Sequence, residues 1–306
     1  MGANKNCCIE YVLQDEDDMN LKEFVYKIAY YIKYLFLEIF TNCYVVHGYF
    51  PLNNKGKVGL YNLGDDLNLY LIALIANARI IPYQYSILSH VLHKRRYSCI
   101  GSIIASSDKY TIIWGSGAIE NRLNVNFDFL KICSVRGPLT RQLLLNSGYE
   151  CPQSYGDPAL LVSKYYKPFV EKKYKIGIIP HYIDLSTEYL SLYSDIPSVK
   201  IINLHNYKDW RIVINEILSC EFIISSSLHG IIISDSYNIP NVWCKFSMNI
   251  YGDDFKYKDY FYSVSRNPIV FIFDKYYDLD YLLSLKTNYS IPNIQFDEII
   301  KSCPLI

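Results

Sequence analysis

Short apolar runs rich in β-branched residues alternate along this chain with segments of helical character, and that alternation restricts the fold more than any other feature. Strands separated by helices are the pattern of βαβ units and a parallel sheet. In the first half the runs Cys43–His47, Ser98–Ile104, Tyr110–Trp114 and Ile132–Val135 are expected strands. A helix should follow, with Pro138 at its first position, Leu139–Leu145 continuing it and Gly148 stopping it. Pro168 and the charged Glu171-Lys172-Lys173 then read as a linker. Beyond it the alternation resumes: strand Ile176–Ile179, strand Lys200–Asn203, helix Asp209–Leu218, strand Phe222–Ser225, a helix from Leu228, and strand Asn241–Lys245. A chain of 306 residues exceeds the ~100–200 of one domain. The sequence therefore predicts an α/β protein with two Rossmann-like, doubly wound domains facing a cleft, residues 1–170 and 171–306, the second ending in helices.

One further helix precedes the first strand. Plotted at about 100° per residue, Phe24, Ile28, Tyr31, Ile32, Leu35 and Ile39 of the stretch Leu21–Phe40 share a face, which is expected to pack on the first domain. Its lysines and tyrosines leave a second role open, a helix lying on a membrane surface. Lys22, Glu23, Lys27, Lys33 and Glu38 argue against a span through the bilayer. The acidic Asp15–Asp18 and the lack of an apolar leader point away from export, and nine cysteines without a Cys-x-x-Cys pair suit a reducing, cytoplasmic setting. With 30 basic and 30 acidic side chains, no positive field recruits nucleic acid.

Ligands of doubly wound sheets bind beyond the carboxyl ends of the strands, so the turns there hold the candidate site. Three stand out. Gly115-Ser116-Gly117 follows a strand and allows backbone to approach a ligand, although such a sequence is also an ordinary tight turn. Ser225-Ser226-Ser227-Leu228-His229-Gly230 joins strand to helix with hydroxyls and free N–H groups, although serines there are also plain caps. Arg136-Gly137-Pro138 puts a guanidinium beside a helix N-terminus. Among six histidines, His229 at a helix start and His181 at a strand end are the candidates for chemistry. His90 and His93 have no accompanying Cys or carboxylate cluster, so no metal is expected. Asp65 and Asp66, within Asn62–Asn68, and Asp157 are the acidic candidates; Gly156-Asp157-Pro158 equally forms a turn.

Four separated segments, in order, resemble the polysaccharide pyruvyl transferase family: Asn62-Leu63-Gly64-Asp65-Asp66-Leu67; Trp114-Gly115-Ser116-Gly117; Val135-Arg136-Gly137-Pro138-Leu139-Thr140 with Tyr155-Gly156-Asp157-Pro158-Ala159-Leu160-Leu161; and Ser227-Leu228-His229-Gly230 with Asp235-Ser236-Tyr237-Asn238-Ile239-Pro240. The resemblance covers roughly residues 43 to 265. It implies a glycosyltransferase-B-like pair of domains, phosphoenolpyruvate as donor with no other cofactor, and a pyruvate ketal on a sugar of a bacterial capsular or exopolysaccharide. A lipid-linked acceptor would place the protein at the inner face of the cytoplasmic membrane. On this reading the first domain takes the acceptor, through Asn62, Asp66 and Asn68, and the second the donor. His229 is the expected general acid, with Asp65 or Asp157 as base.

In one respect the chain departs from the family, which commonly reads Arg-Leu-His-Gly where Ser227-Leu228-His229-Gly230 stands. Phosphoenolpyruvate carries a carboxylate and a phosphate, and holding both calls for several donors. Arg136, His181, Lys256 and the three serines are the expected replacements. The missing arginine keeps two alternatives open: a glycosyltransferase using a nucleotide sugar, and a catalytically silent binding subunit.

Overall fold

The described residues of the computed structural model are 21–53, 56–123 and 129–306. The first half runs through α1 (Leu21–Phe40), β1 (Cys43–Val46), α2 (Leu63–Ala76), β2 (Arg79–Pro82), α3 (Ile87–Leu92), β3 (Arg96–Ser98), β4 (Thr111–Trp114), β5 (Lys131–Ser134), α4 (Pro138–Asn146) and α5 (Val162–Tyr165). The second half runs through β6 (Tyr174–Ile179), α6 (Glu188–Ser191), β7 (Val199–Ile201), α7 (Trp210–Leu218), β8 (Cys220–Ser225), α8 (Leu228–Ser236), β9 (Asn241–Lys245), α9 (Phe255–Ser263), β10 (Val270–Ile272), α10 (Leu279–Ser284) and α11 (Phe296–Lys301).

Each half builds one five-stranded sheet, ordered β2-β1-β3-β4-β5 and β10-β9-β8-β6-β7. Every pairing between the named strands is parallel. Read from β7, the second order repeats the first, so the chain has made one Rossmann-like winding twice. Central strands buried on both faces read as apolar runs, as in Thr111–Trp114, where every residue is buried. Proline at the first helical position starts α4, and Asp209 caps α7 by accepting from the Arg211 N–H at 2.8 Å.

The two halves share a core. Leu67, Leu71 and Ile72 of α2 lie in one apolar cluster with Trp210, Ile231 and Ile232 of the second half. The Leu63 N–H donates to the Leu204 carbonyl at 2.9 Å, and Tyr70 stacks on Trp210 at 6.1 Å between centroids. The chain's last helix follows the second sheet in sequence and returns to the first half. The indole N–H of Trp114 donates to the Ile299 carbonyl at 3.1 Å, so α11 sits on the first sheet. The buried indole needs an acceptor, and the returning helix supplies it.

The extent of α1 agrees with the sequence, but its orientation does not. Phe24, Ile28, Ile32 and Ile39, expected to face the domain, are exposed, while Tyr34 and Glu38 are buried. Polar complementarity explains the turn of the helix. Glu38 accepts from the Ser86 hydroxyl and from the Leu88 N–H, and Tyr30 accepts from the Val58 N–H at 3.0 Å. Tyr34 stacks on Tyr85 with centroids 5.9 Å apart. The edge of the sheet offers donors and aromatic rings, and the tyrosine face satisfies both where the aliphatic face could not.

Candidate active site

In both sheets the strand order reverses once, between β1 and β3 and between β6 and β8, and loops leaving the carboxyl ends there open a crevice. The two crevices meet. Gly101 and Ser102 after β3 face Pro180 and His181 after β6, and Ser227 and His229 after β8, around a cavity of about 220 Å³. Asn62 and Asp65 at the start of α2, Lys256 of α9, and Asn203 and His205 beyond β7 complete the wall. Asn62 and His205 pair through their backbones, closing one end of the cleft across the halves.

His229 enters on the first turn of α8. Ser227, the residue before that helix, makes no side-chain cap bond, so the N-terminus of a nine-residue helix opens on the cleft with its positive end uncapped. The imidazole lies flat on the backbone of α2: a Cβ at Gly64 would stand 2.0 Å from Nδ1, so only glycine admits the ring. Nε2 is buried and has no hydrogen-bond partner among the described residues. Burial, with the charges of Arg136 and Lys256, lowers the imidazole to about 3, so it is neutral at pH 7.

Lys256 is nine-tenths buried, has no ion pair among the described residues, and leans over the Tyr257 ring at 5.5 Å. Burial and Arg136 lower it to about 8 against the opposing pull of Asp65. Asp65 accepts from the Asn62 side-chain amide at 2.9 Å, and burial together with Asp66 raises it to about 7. His181 caps the turn Tyr182–Asp184, its Nδ1 accepting from the Ile183 N–H at 3.4 Å, and is lowered to about 3 by burial, Lys256, His205 and His229. A cavity with a lysine near neutrality, three neutral histidines and a carboxyl group near neutrality is equipped to receive an anion and to move protons.

His205 was not among the residues the sequence singled out. Its Nδ1 lies 2.9 Å from the Asn206 amide nitrogen and its ring packs on Tyr61 at 4.2 Å, leaving a buried Nε2 without a partner among the described residues. It follows β7 by a few residues, so the strand-end rule that selected His181 also selects it. Ser102 was missed too; its hydroxyl receives Arg136 Nη1 at 2.5 Å and its residue lines the cleft.

Several of the expected site residues are engaged by other parts of the chain. The guanidinium of Arg136 is fully buried and donates to Asp259 at 3.0 Å, to Ser102 and, at 2.6 Å, to the Ala118 carbonyl. The anion site foreseen at the start of α4 exists, but Asp259 of the other half fills it, accepting from the Thr140 N–H at 2.9 Å and hydroxyl at 2.7 Å. Gly115 and Gly117 leave room for protein rather than ligand: Cβ atoms there would meet Pro158 at 2.2 Å and the Arg136 guanidinium at 2.4 Å. Ser116 donates to the Gly101 carbonyl, Ser225 to Ile179 and Ser227 carbonyls, and Ser226 to the Asp184 carboxylate. Leu228 lines the cleft, whereas Gly230 is buried behind it.

Asp157 lies outside the cleft, fully buried; burial raises it to about 6, and its Oδ1 caps the following turn through the Ala159 N–H at 2.9 Å. Asp66 accepts from Tyr61 and Tyr207, and Asn68 ties α2 to Ile100 through donor and acceptor alike. Neither Asp66 nor Asn68 reaches the cavity, which leaves Asn62 as the one cleft residue of the three expected to hold an acceptor. No group of three metal-ligating side chains occurs among the described residues, and His93 stacks on Tyr110 at 4.9 Å. A larger cavity, about 590 Å³, lies between α4 and the loop before α9. Both of its lysines, Lys245 and Lys258, pair with Asp254 at 2.5 and 3.8 Å, so it lacks the uncompensated charge of the cleft.

Fold and cleft together define an α/β protein with a polar cleft between two parallel five-stranded sheets. Residues 62–248 match the profile of the polysaccharide pyruvyl transferase family, and the chain belongs to that family. Over 216 residues it is 29% identical to the uncharacterized protein L143 of Acanthamoeba polyphaga mimivirus, covering 65% of this chain and 69% of that one.

Proposed function

We propose that this protein transfers the pyruvyl group of phosphoenolpyruvate to a sugar of a capsular or exopolysaccharide precursor, forming a pyruvate ketal, with the two halves arranged in the manner of glycosyltransferase-B enzymes. One observation carries the reading: Lys256, His181, His229 and the uncapped start of α8 converge on a cavity of about 220 Å³ opposite, among the described residues, a single carboxyl group, Asp65. That volume suits a small dianion. A nucleotide sugar calls for a pocket in the usual range of roughly 300–1,000 Å³. Lys256 arrives from α9 in the role of the family arginine that Ser227 replaces.

In the proposed reaction, phosphate and carboxylate of the donor offset the charges of Arg136 and Lys256 that hold His229 neutral, and the imidazole takes up a proton. His229 passes that proton to the methylene carbon of phosphoenolpyruvate, leaving C2 cationic. A sugar hydroxyl attacks C2 and gives its proton to Asp65. A second hydroxyl of the same sugar then attacks C2 and closes the ketal, its proton returning to His229, while phosphate leaves from C2 with the proton held by Asp65. The donor is itself the reactive species, and the scheme calls on no further cofactor.

Calorimetric titration with phosphoenolpyruvate, beside a panel of nucleotide sugars, tests the reading. Saturable phosphoenolpyruvate binding, weakened by roughly 10-fold or more in Lys256→Ala, is the expected result. Binding of a nucleotide sugar alone would identify a glycosyltransferase, and binding of neither would identify a silent subunit.

The pH dependence follows from the same groups. Asp65 must be ionised to accept a proton, which requires pH above about 7. Lys256 must be protonated to hold the donor, which requires pH below about 8. With His229 charged only in the donor complex, these two groups bound the profile of kcat, and because they feel each other the limits belong to the pair. In Asp65→Asn the acid-side limb should vanish along with most of the activity; an unchanged limb would remove Asp65 as the base.

A further inference from the structure

The outer face of α1 has no partner among the described residues. Leu21, Val25, Ile28, Ile32, Phe36 and Ile39 form a continuous stripe down the helix, flanked by Phe24 and Phe40. Ile32 is 63% exposed and Phe36 59%. At about 100° per residue the apolar arc spans about 160°. Val91 and Leu92 at the end of α3, 67% and 60% exposed, extend apolar surface on the helix that packs against α1. Scattered apolar residues need no explanation, but a contiguous stripe over five turns of helix marks a surface that meets another phase or partner.

Charge identifies which. The exposed cations Lys33, Lys94 and Arg95 lie on α1 and just beyond α3. The acidic residues of α1 are neutralised: Glu23 pairs with Lys27 at 3.2 Å and Glu38 is buried against Ser86. An apolar face rimmed by cations, with its carboxylates withdrawn, is complementary to the headgroup region of an anionic bilayer. The helix is not one that crosses: none among the described residues is long and apolar enough to span a membrane. Lying on the surface leaves its buried tyrosine side undisturbed.

We infer that α1, with the end of α3, is a docking surface for anionic phospholipid membranes, inserting Ile28, Ile32, Phe36 and Ile39 while Lys33, Lys94 and Arg95 meet headgroups. The surface is coupled to the cleft through the segment joining β1 to α2. Val58 donates to Tyr30 of α1, and a Cβ at Gly56 would stand 2.4 Å from the Tyr26 ring. The same segment runs on to Asn62, which lines the cleft. Docking therefore sets how the cleft is presented to a substrate carried at a membrane surface, and the inference stands whether or not the donor is phosphoenolpyruvate.

Co-sedimentation of the full chain with phosphatidylcholine vesicles, and with vesicles containing phosphatidylglycerol, tests this without reference to activity. Binding to the anionic vesicles is expected, falling as salt is raised. In Ile32→Asp/Phe36→Asp the binding should be lost, while circular dichroism and thermal midpoint stay unchanged because both side chains are exposed. In Lys33→Gln/Lys94→Gln/Arg95→Gln the preference for anionic over neutral vesicles should fall by roughly a hundredfold. Equal binding of wild type to neutral and anionic vesicles would overturn the electrostatic half of the inference. Absence of vesicle binding, with a dimer in light scattering that Ile32→Asp/Phe36→Asp dissociates, would overturn it entirely and make the stripe an interface between copies of the chain.

Discussion

His229→Ala lowers kcat for pyruvyl transfer by roughly 10² to 10⁴, the usual contribution of a positioned acid–base group. The expectation rests on a buried Nε2 without a partner among the described residues, an arrangement that proteins rarely tolerate outside a site that uses it. Removing the ring also removes the group that Gly64 makes room for, so a second variant separates chemistry from packing. His229→Gln fills much of the same space and offers an amide, but cannot shuttle a proton near neutrality. Both variants should unfold near the wild-type midpoint and still bind phosphoenolpyruvate, because Lys256 and the start of α8 remain. Single-turnover measurements of phosphate release, at saturating donor and acceptor, read the chemical step directly. If His229→Ala or His229→Gln releases phosphate at the wild-type rate, His229 has no part in proton transfer.

Most strands were legible because buried parallel strands are written as apolar runs, and β9 was placed at its observed ends, Asn241–Lys245, but β2 and β10 were not foreseen and the expected Ser98–Ile104 meets β3 only at Ser98. Helix α2 was not legible. Its Leu69–Ala76 segment is apolar all round, since it packs against both halves, and a run without a polar face carries no period to read. The aliphatic face of α1 was read as its inner face because hydrophobicity is the usual guide to burial. What decided the matter lies far away in sequence, in Ser86, Leu88 and Tyr85.

The site was legible by a rule of position and obscured by a rule of composition. Residues just beyond strands at the reversal of strand order are the ones that line the cleft, which selects His181, His229 and Ser227. Polar residues in glycine-rich turns were read as ligand groups, and many of them bind protein. An anion-binding turn and a turn that binds a carboxylate of the same chain have one sequence signature. Only the fold reveals that Asp259 and Asp184 have taken those places.

The Arg136–Asp259 pair supplies the largest expected effect on stability. Both side chains are fully exposure-free and 3.0 Å apart, joining the turn before α4 to α9 across the two halves. Removing either partner strands the other charge in the interior, which costs about 3–5 kcal/mol. Arg136→Met and Asp259→Leu should therefore each lower the free energy of unfolding in urea by about that amount. Combining them removes both charges at once, and the double variant should be markedly more stable than the sum of the single losses requires. Donor binding separates this role from the one the sequence suggested. If Arg136 forked the donor's carboxylate, Arg136→Met would lose phosphoenolpyruvate binding at unchanged stability, and the double variant would be no better. If it clamps the halves, the double variant recovers stability and, with Lys256 and His229 back in register, recovers donor binding as well. Loss of binding in the double variant at restored stability would sink the clamp as the whole account and return Arg136 to the donor site.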